Sequence, residues 1–348
     1  MKAAVLKKTA AFYVKLCAMQ KARTLFFTAP KQIEIRETTL PPLKDDEVLV
    51  ETIYSAISAG TEMLVYRGQF PHLADSHDAV SSDMSYPLAY GYACVGKVKS
   101  LGEKVTRDWE DKLVFSFQAH TSHFVTKTEA LFPIPYSLSP ENACFLPNME
   151  TAVNLVQDGA PILGERVLVL GQGVVGLLTA SLLNEFPLES LVTVDRFELR
   201  RKALQIESRT SKVESRSIQE LRPSTFDMVF ELSGSPSALN DAISLTCFSG
   251  RVVIGSWYGQ KRAEIDLGST FHRSRIKLIS SQVSSISPEL SGRWDKARRF
   301  EVTWEALNRI QPAKWITHRF SLDEGAKAYQ LLDENPQETI QVVFSYQS

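Results

Sequence analysis

The sequence predicts an α/β protein in which a doubly wound parallel sheet is joined to a second unit built from strands. Three observations carry that expectation. From Met19 to about Lys127 the chain is rich in short runs of alternating apolar and polar residues. From about Pro140 it changes to strands alternating with helices of roughly ten residues, the pattern of βαβ units. At the first of those strand–helix junctions stands RVLVLGQGVVG, with three glycines between an apolar strand and an apolar helix. A chain of 348 residues suits two domains.

In chain order, the first 18 residues, MKAAVLKKTAAFYVKLCA, are basic and carry no acid. Lys7, Lys8 and Lys15 interrupt the apolar core that a signal peptide needs, so this stretch reads as an N-terminal extension. KARTLFFTAP and QIEIRE alternate as strands, Pro41-Pro42 is a break, and EVLVETIYSAIS is a long β-type run. Residues 68–90 are polar and without pattern, a long loop of the kind that is usually functional or mobile. YACVGKVKS, KLVFSF and SHFVTK are further strands. Ser139-Pro140 then opens a helical segment, Ser as cap and Pro at the first helical position. The alternation that follows is RVLVLG, VVGLLTASLLNEF, SLVTVD, ELRRKALQI, FDMVFELSG, SALNDAISLT and RVVIGS, after which AEIDLG and IKLISSQV are candidate edge strands. The chain closes with a charged helix (RWDKARRFEVTWEALNRI), a strand (THRF), a helix (DEGAKAYQLLDE) and a last strand (TIQVVFSY).

Composition excludes several functions. Lys plus Arg is 39 and Asp plus Glu is 40, so no global basic field exists to hold a nucleic acid. The longest uncharged stretch, residues 167–184, contains Gln172 and three glycines and reads as a buried strand turning into a buried helix, not as a membrane span. The four cysteines, Cys17, Cys94, Cys144 and Cys247, form no CxxC pair, which excludes the usual structural zinc motifs and a disulfide framework and points to a cytoplasmic location.

The glycine motif carries the most specific chemistry. Gly171 permits the tight turn, Gly173 lets backbone approach a pyrophosphate, and Gly176 lets helix and strand pack closely. Gln172, Val174 and Val175 complete the loop and the helix N-terminus, whose N–H groups and dipole favour an anion. Asp195, 19 residues past Gly176, ends the next strand, where a carboxylate can accept both ribose hydroxyls of NAD and repel the 2′-phosphate of NADP. Arg196 beside it keeps NADP open.

With these residues in place, the chain resembles the medium-chain dehydrogenase/reductase superfamily, the alcohol-dehydrogenase-like proteins, over about residues 19–348. EVLVETIYSAISAGTE resembles the strand leading into that family's first catalytic-zinc loop. GYACVGKVKSLGEKV is similar to its GHExxGxVxxxGxxV segment, keeping Gly91, Gly96, Gly102 and Val105. FDMVFELSGSP and GRVVIGSWYG fit its cofactor domain, adding Ser233 and Gly255 to the cofactor contacts that the resemblance implies. It further implies a GroES-like β-barrel catalytic domain (19–150, completed by 300–348), a Rossmann domain (151–299) and an active site between them. YSAISAGTEMLVYRG and YPLAYGYACVG resemble most the branch that contains bacteriochlorophyllide a dehydrogenase.

The departures shape the chemistry. Ser58 stands at the position of the family's first zinc cysteine, Tyr92 and Ala93 replace the His and Glu of GHE, and the third ligand falls in the register of Pro147. Zinc needs three ligands of Cys, His or carboxylate type, so no zinc is expected. A proton or hydrogen-bond donor must then come from side chains. Tyr92 is the first candidate, with Ser58 and Thr61, whose hydroxyls could equally bond turn backbone, and His120 as a pocket donor. Glu62 reads as structural, pairing a cation at the domain junction. His120 and His123 form an HxxH that lacks a third ligand. His72 and His77 read as solvent-facing. Arg293, Trp294, Arg298 and Arg299 form either an anion-binding cluster or a solvated helix face.

The resulting expectation is a zinc-independent NAD(P)-dependent oxidoreductase that prefers NAD(H) and interconverts an alcohol and a carbonyl on a bulky polar small molecule. Reduction of an activated C=C bond and non-catalytic NAD(H) binding are the alternatives. Exposed apolar sheet edges need covering, so a homodimer is expected.

Overall fold

The computed structural model describes residues 21–70, 85–204 and 213–346. The N-terminal extension, His72 and His77 lie outside the described residues. β1 (Lys21–Ala29) and β2 (Gln32–Thr39) form an antiparallel hairpin. Its apolar positions, Leu25 and Phe27, are buried against the body of the unit. β3 (Glu47–Ala56) is the centre of a second sheet and leads into the short helix α1 (Thr61–Tyr66). β4 (Leu88–Ala89), at the end of the expected long loop, adds to β1. β5 (Cys94–Leu101), β6 (Leu113–Ser116), β7 (His123–Lys127) and β8 (Phe132–Pro133) complete the run, with both β5 and β7 antiparallel to β3.

Ser139 caps α2 (Pro140–Ala143) by accepting the Asn142 N–H at 3.3 Å, and α3 (Leu146–Gly159) follows. Next come β9 (Arg166–Leu170), α4 (Val174–Leu183), β10 (Ser190–Val194), α5 (Glu198–Ala203) and β11 (Val213–Arg216). β12 (Phe226–Glu231), α6 (Ala238–Leu245), β13 (Thr246–Ile254) and β14 (Lys277–Ser280) finish the alternation. These six strands are all parallel in the order β11-β10-β9-β12-β13-β14. The sheet is covered on both faces, which is why β9 reads as a continuous apolar run. α7 (Lys296–Ile310) packs on α3. The chain then returns: β15 (Ile316–Ser321), α8 (Gly325–Glu334) and β16 (Gln341–Ser345), with β16 antiparallel to β3.

The fold class is therefore the expected one: α/β, a strand-built unit of the GroES-like type beside a Rossmann doubly wound parallel sheet. One element differs. AEIDLG forms no strand, because Asn240 ties it down, accepting the Asp266 N–H at 3.0 Å and donating to the Glu264 carbonyl at 2.9 Å. β14 alone forms that edge of the sheet. Among the described residues no helix is long and apolar enough to cross a membrane.

Candidate active site

The parallel sheet presents its C-terminal edge to the strand-built unit. Gly171 ends β9 with φ +95°, and a Cβ there would lie 2.6 Å from the Leu232 carbonyl oxygen. A Cβ on Gly176 would lie 1.9 Å from the Gly171 carbonyl oxygen, so helix and strand close only with glycine at both places. Around Gly173, the cap of α4, there is open space, as a bound pyrophosphate requires. Val174 and Val175 open the helix and pack partly into the core. Asp195, 9% exposed, accepts the Gln172 N–H at 2.7 Å on one carboxylate oxygen and the Phe197 N–H at 2.8 Å on the other. It thus shapes the loop as well as standing where a ribose would lie. The Gln172 side chain turns inward to the Gly171 carbonyl at 3.0 Å. Arg196 stacks over the Phe197 ring at 4.5 Å.

Two expected cofactor contacts have structural duties here. Ser233 donates its hydroxyl to the buried Glu231, which also accepts from Tyr258 at 2.5 Å. Gly255 is small because a Cβ there would lie 2.6 Å from methyl carbons of both Leu155 and Leu232.

Opposite this edge three hydroxyl residues converge at the start of α1. Tyr92 donates to Ser58 Oγ at 2.6 Å, and the Thr61 N–H donates to the same oxygen at 3.3 Å. Burial and the nearby Glu62 charge push the Tyr92 hydroxyl up to about 12, against hydrogen bonds with Ser58 and Thr61 that pull it down. Tyr92 is therefore a protonated donor at neutral pH. Below lies Glu62, 0% exposed, which accepts the Ser58 N–H at 2.9 Å, His120 Nε2 at 2.9 Å and the Tyr329 hydroxyl. On its far side His120 Nδ1 meets Ser55 Oγ at 2.7 Å, and Ser55 meets the Tyr346 hydroxyl at 2.9 Å.

An aromatic row joins the two halves. Trp257, 40% exposed and just past β13, packs on Phe70 at 4.8 Å. Phe70 contacts Tyr90 at 6.5 Å, and Tyr90 contacts Tyr92 at 6.2 Å. Gln260 Nε2 donates to the Phe70 carbonyl at 3.1 Å, so the loop after β13 is docked on the strand-built unit.

No family model matches the chain. The L-threonine 3-dehydrogenase of Stenotrophomonas maltophilia is 23% identical over 344 residues, covering 88% of this chain and 94% of the relative. The 2R,3R-butanediol dehydrogenase of Bacillus subtilis superposes with a TM-score of 0.74 at 17% identity, covering 94% of this chain and all of that one. The chain has an alcohol-dehydrogenase-like fold. An alcohol dehydrogenase of Escherichia coli CFT073, solved with NADH, has the same alcohol-dehydrogenase-like fold, with a TM-score of 0.72, 19% identity and coverage of 94% and 99%.

Within that alcohol-dehydrogenase-like frame the donor set does not fit a catalytic zinc. Among the described residues no three His, Cys, Asp or Glu side chains come together as a metal site. Ser58 and Tyr92 bond to each other, and Glu62 and His120 are occupied with one another beneath them. The cofactor loop, in contrast, fits a dinucleotide.

Several expectations need correction. His120 is fully buried and hydrogen-bonded at both ring nitrogens, so it is not a pocket donor. Glu62 pairs with that histidine inside the unit, not with a cation at a domain junction. His123 lies on β7, with Nδ1 3.1 Å from Ser122 Oγ. Arg299 is fully buried, whereas Arg298 is exposed and stacks on Trp294 at 4.2 Å. Sequence reasoning missed Ser55, Tyr329 and Tyr346, since no local spacing links them to Glu62 or His120.

Proposed function

We propose that the chain is a zinc-independent, NAD(H)-preferring oxidoreductase that interconverts an alcohol and a carbonyl on a small molecule. Residues 19–150 and 300–348 form its catalytic unit and 151–299 its cofactor unit. The hydroxyl chain Tyr92–Ser58 is the observation that carries this reading. Gly171, Gly173, Gly176 and Asp195 would hold the cofactor, which supplies or accepts the hydride when bound. During reduction negative charge develops on the carbonyl oxygen, which needs aimed donors. Ser58 Oγ accepts from Tyr92 and from the Thr61 N–H, so its own hydrogen is free for that oxygen. Hydrogen bonds in a chain polarise one another, so Tyr92 strengthens Ser58 as a donor. The resemblance to the bacteriochlorophyllide a dehydrogenase branch supports a bulky substrate. A cytoplasmic protein without nucleic-acid or membrane partners is part of the same reading. Following NADH oxidation across a panel of aldehydes, ketones and enones tests it; turnover of enones alone, or tight NADH binding with no turnover, would overturn it.

Three expected results follow from this reading. NADH binds more tightly than NADPH in fluorescence titrations, and Asp195→Ala narrows the gap while weakening both, because the Gln172 and Phe197 N–H groups lose their acceptor. Equal affinities in the wild type would hand control of the site to Arg196. Elemental analysis of purified protein gives less than one zinc per chain; one tightly held zinc would contradict the donor set. Light scattering gives twice the monomer mass, with copies meeting along β14, and a monomer at micromolar concentration would refute the dimer.

A further inference from the structure

The segment after β14 is fixed by a buried polar network. Arg299, in the first turn of α7, is fully buried, and all five of its N–H groups have acceptors. Nε and one Nη2 hydrogen donate to Glu150 Oε1 at 3.1 and 2.7 Å. Nη1 donates to Asn154 Oδ1 at 2.7 Å and to the Ser285 carbonyl at 3.1 Å, and the second Nη2 hydrogen goes to the Val283 carbonyl. Asn154 Nδ2 in turn donates to Ser281 Oγ at 2.9 Å and to Asp158 Oδ2 at 2.8 Å, the latter also accepting the Ser281 hydroxyl at 2.6 Å. Residues 281–285 are thus held at three points by side chains of α3 and α7.

Burying an ion pair costs desolvation, and an apolar filling of similar shape is often at least as stable. Position gives this network another use. The segment leaves the C-terminal end of β14, in the half of the sheet beyond the switch point between β9 and β12, where the second mononucleotide of a bound dinucleotide lies. α3 also packs behind Gly255 at the end of β13 through Leu155. One helix therefore backs both loops that face that half.

We propose that Arg299, with Glu150, is a positioning residue for the nicotinamide half of the cofactor, holding the backbone of residues 281–285 in the form that receives the ring. This rests on the NAD(H) reading above. Lysine cannot replace the arginine, because a point charge does not span a carboxylate, an amide and two carbonyls.

The test is calorimetric titration of the full chain with NADH and with ADP-ribose, which lacks nicotinamide. Wild type binds NADH more tightly than ADP-ribose. Arg299→Lys weakens NADH roughly ten-fold, equivalent to about 1.4 kcal/mol, and leaves ADP-ribose affinity unchanged, which also reports an intact fold. Ser281→Ala, which removes another anchor and keeps the Arg299–Glu150 pair, moves the ratio the same way by less. Equal loss of both ligands in Arg299→Lys, or an unchanged NADH preference, overturns the proposal. No preference in the wild type overturns the NAD(H) reading and this inference with it.

Discussion

Tyr92→Phe is expected to lower turnover by about 10²–10⁴-fold, the usual cost of losing a group that serves the proton, while NADH affinity stays nearly unchanged. The phenol donates to Ser58 Oγ at 2.6 Å, and the substitution removes only that oxygen. The ring stays against Tyr90, so the aromatic wall keeps its shape. Ser58→Ala should cost at least as much, since in this reading it removes the hydroxyl that meets the substrate. The pH dependence separates a hydrogen-bond donor from an ordinary phenolic acid. With the hydroxyl pushed up to about 12 by burial and Glu62, Tyr92 keeps its proton below that value and loses it only above. The ratio of wild-type to Tyr92→Phe turnover should therefore stay flat from pH 6 to about 10. A ratio that collapses between pH 8 and 10 would sink this assignment.

Glu62→Ala is expected to lower the unfolding free energy by about 3–5 kcal/mol, the cost of removing one partner from a buried polar pair. The carboxylate, itself 0% exposed, satisfies the Ser58 N–H, the His120 ring N–H and the Tyr329 hydroxyl at once. Against a total stability of about 5–15 kcal/mol the variant would be marginal. Glu62→Gln keeps the shape and one acceptor oxygen, and should cost about 1–3 kcal/mol. Urea midpoints compared at constant slope measure both. If Glu62→Ala unfolds at the wild-type midpoint, the buried donors have found other partners and the acid is not the keystone of the strand-built unit.

The parts of this molecule that could be read in advance are those written in consecutive residues. β9, the glycine loop and α4 occupy one short stretch, and the turn demands glycine at Gly171 and Gly176 whatever the rest of the chain does. The convergence of Ser58, Thr61 and Tyr92 was legible only through the family resemblance, which sets them at ligand or relay positions. The structure brings them together because Ser58 and Thr61 flank one turn and Tyr92 leads into the strand paired with β3. Beneath the site the information is not local. Glu62 finds Tyr329 across 267 positions, and Ser55 finds Tyr346 across 291, so neither tyrosine differs in pattern from any aromatic on a buried face. Arg299 misled for the same reason. Its neighbour Arg298 is exposed and Trp294 half-buried, and it is acceptors on α3, from far earlier in the chain, together with the Val283 and Ser285 carbonyls that turn this one arginine inward. Charge on a helix suggests water unless the acceptors waiting for it are known.

The return of the chain through β16 bears on the order in which the protein can assemble during synthesis. β3 has its β5 and β7 partners soon after it emerges, but its β16 neighbour, Gln341–Ser345, follows the end of β3 by roughly 285 residues, about 15–60 s at ordinary elongation rates. Until then the Tyr54–Ala56 end of one flank of β3 is bare, and the acid and imidazole inside lack the two tyrosines that α8 and the last strand deliver. The parallel sheet is complete once β14 has left the ribosome. The parallel-sheet half is therefore finished first, and the half that holds Ser58 and Tyr92 closes against an already folded neighbour. A nascent chain halted between β14 and β16 should offer chaperones an open strand edge, and one halted after β16 should not.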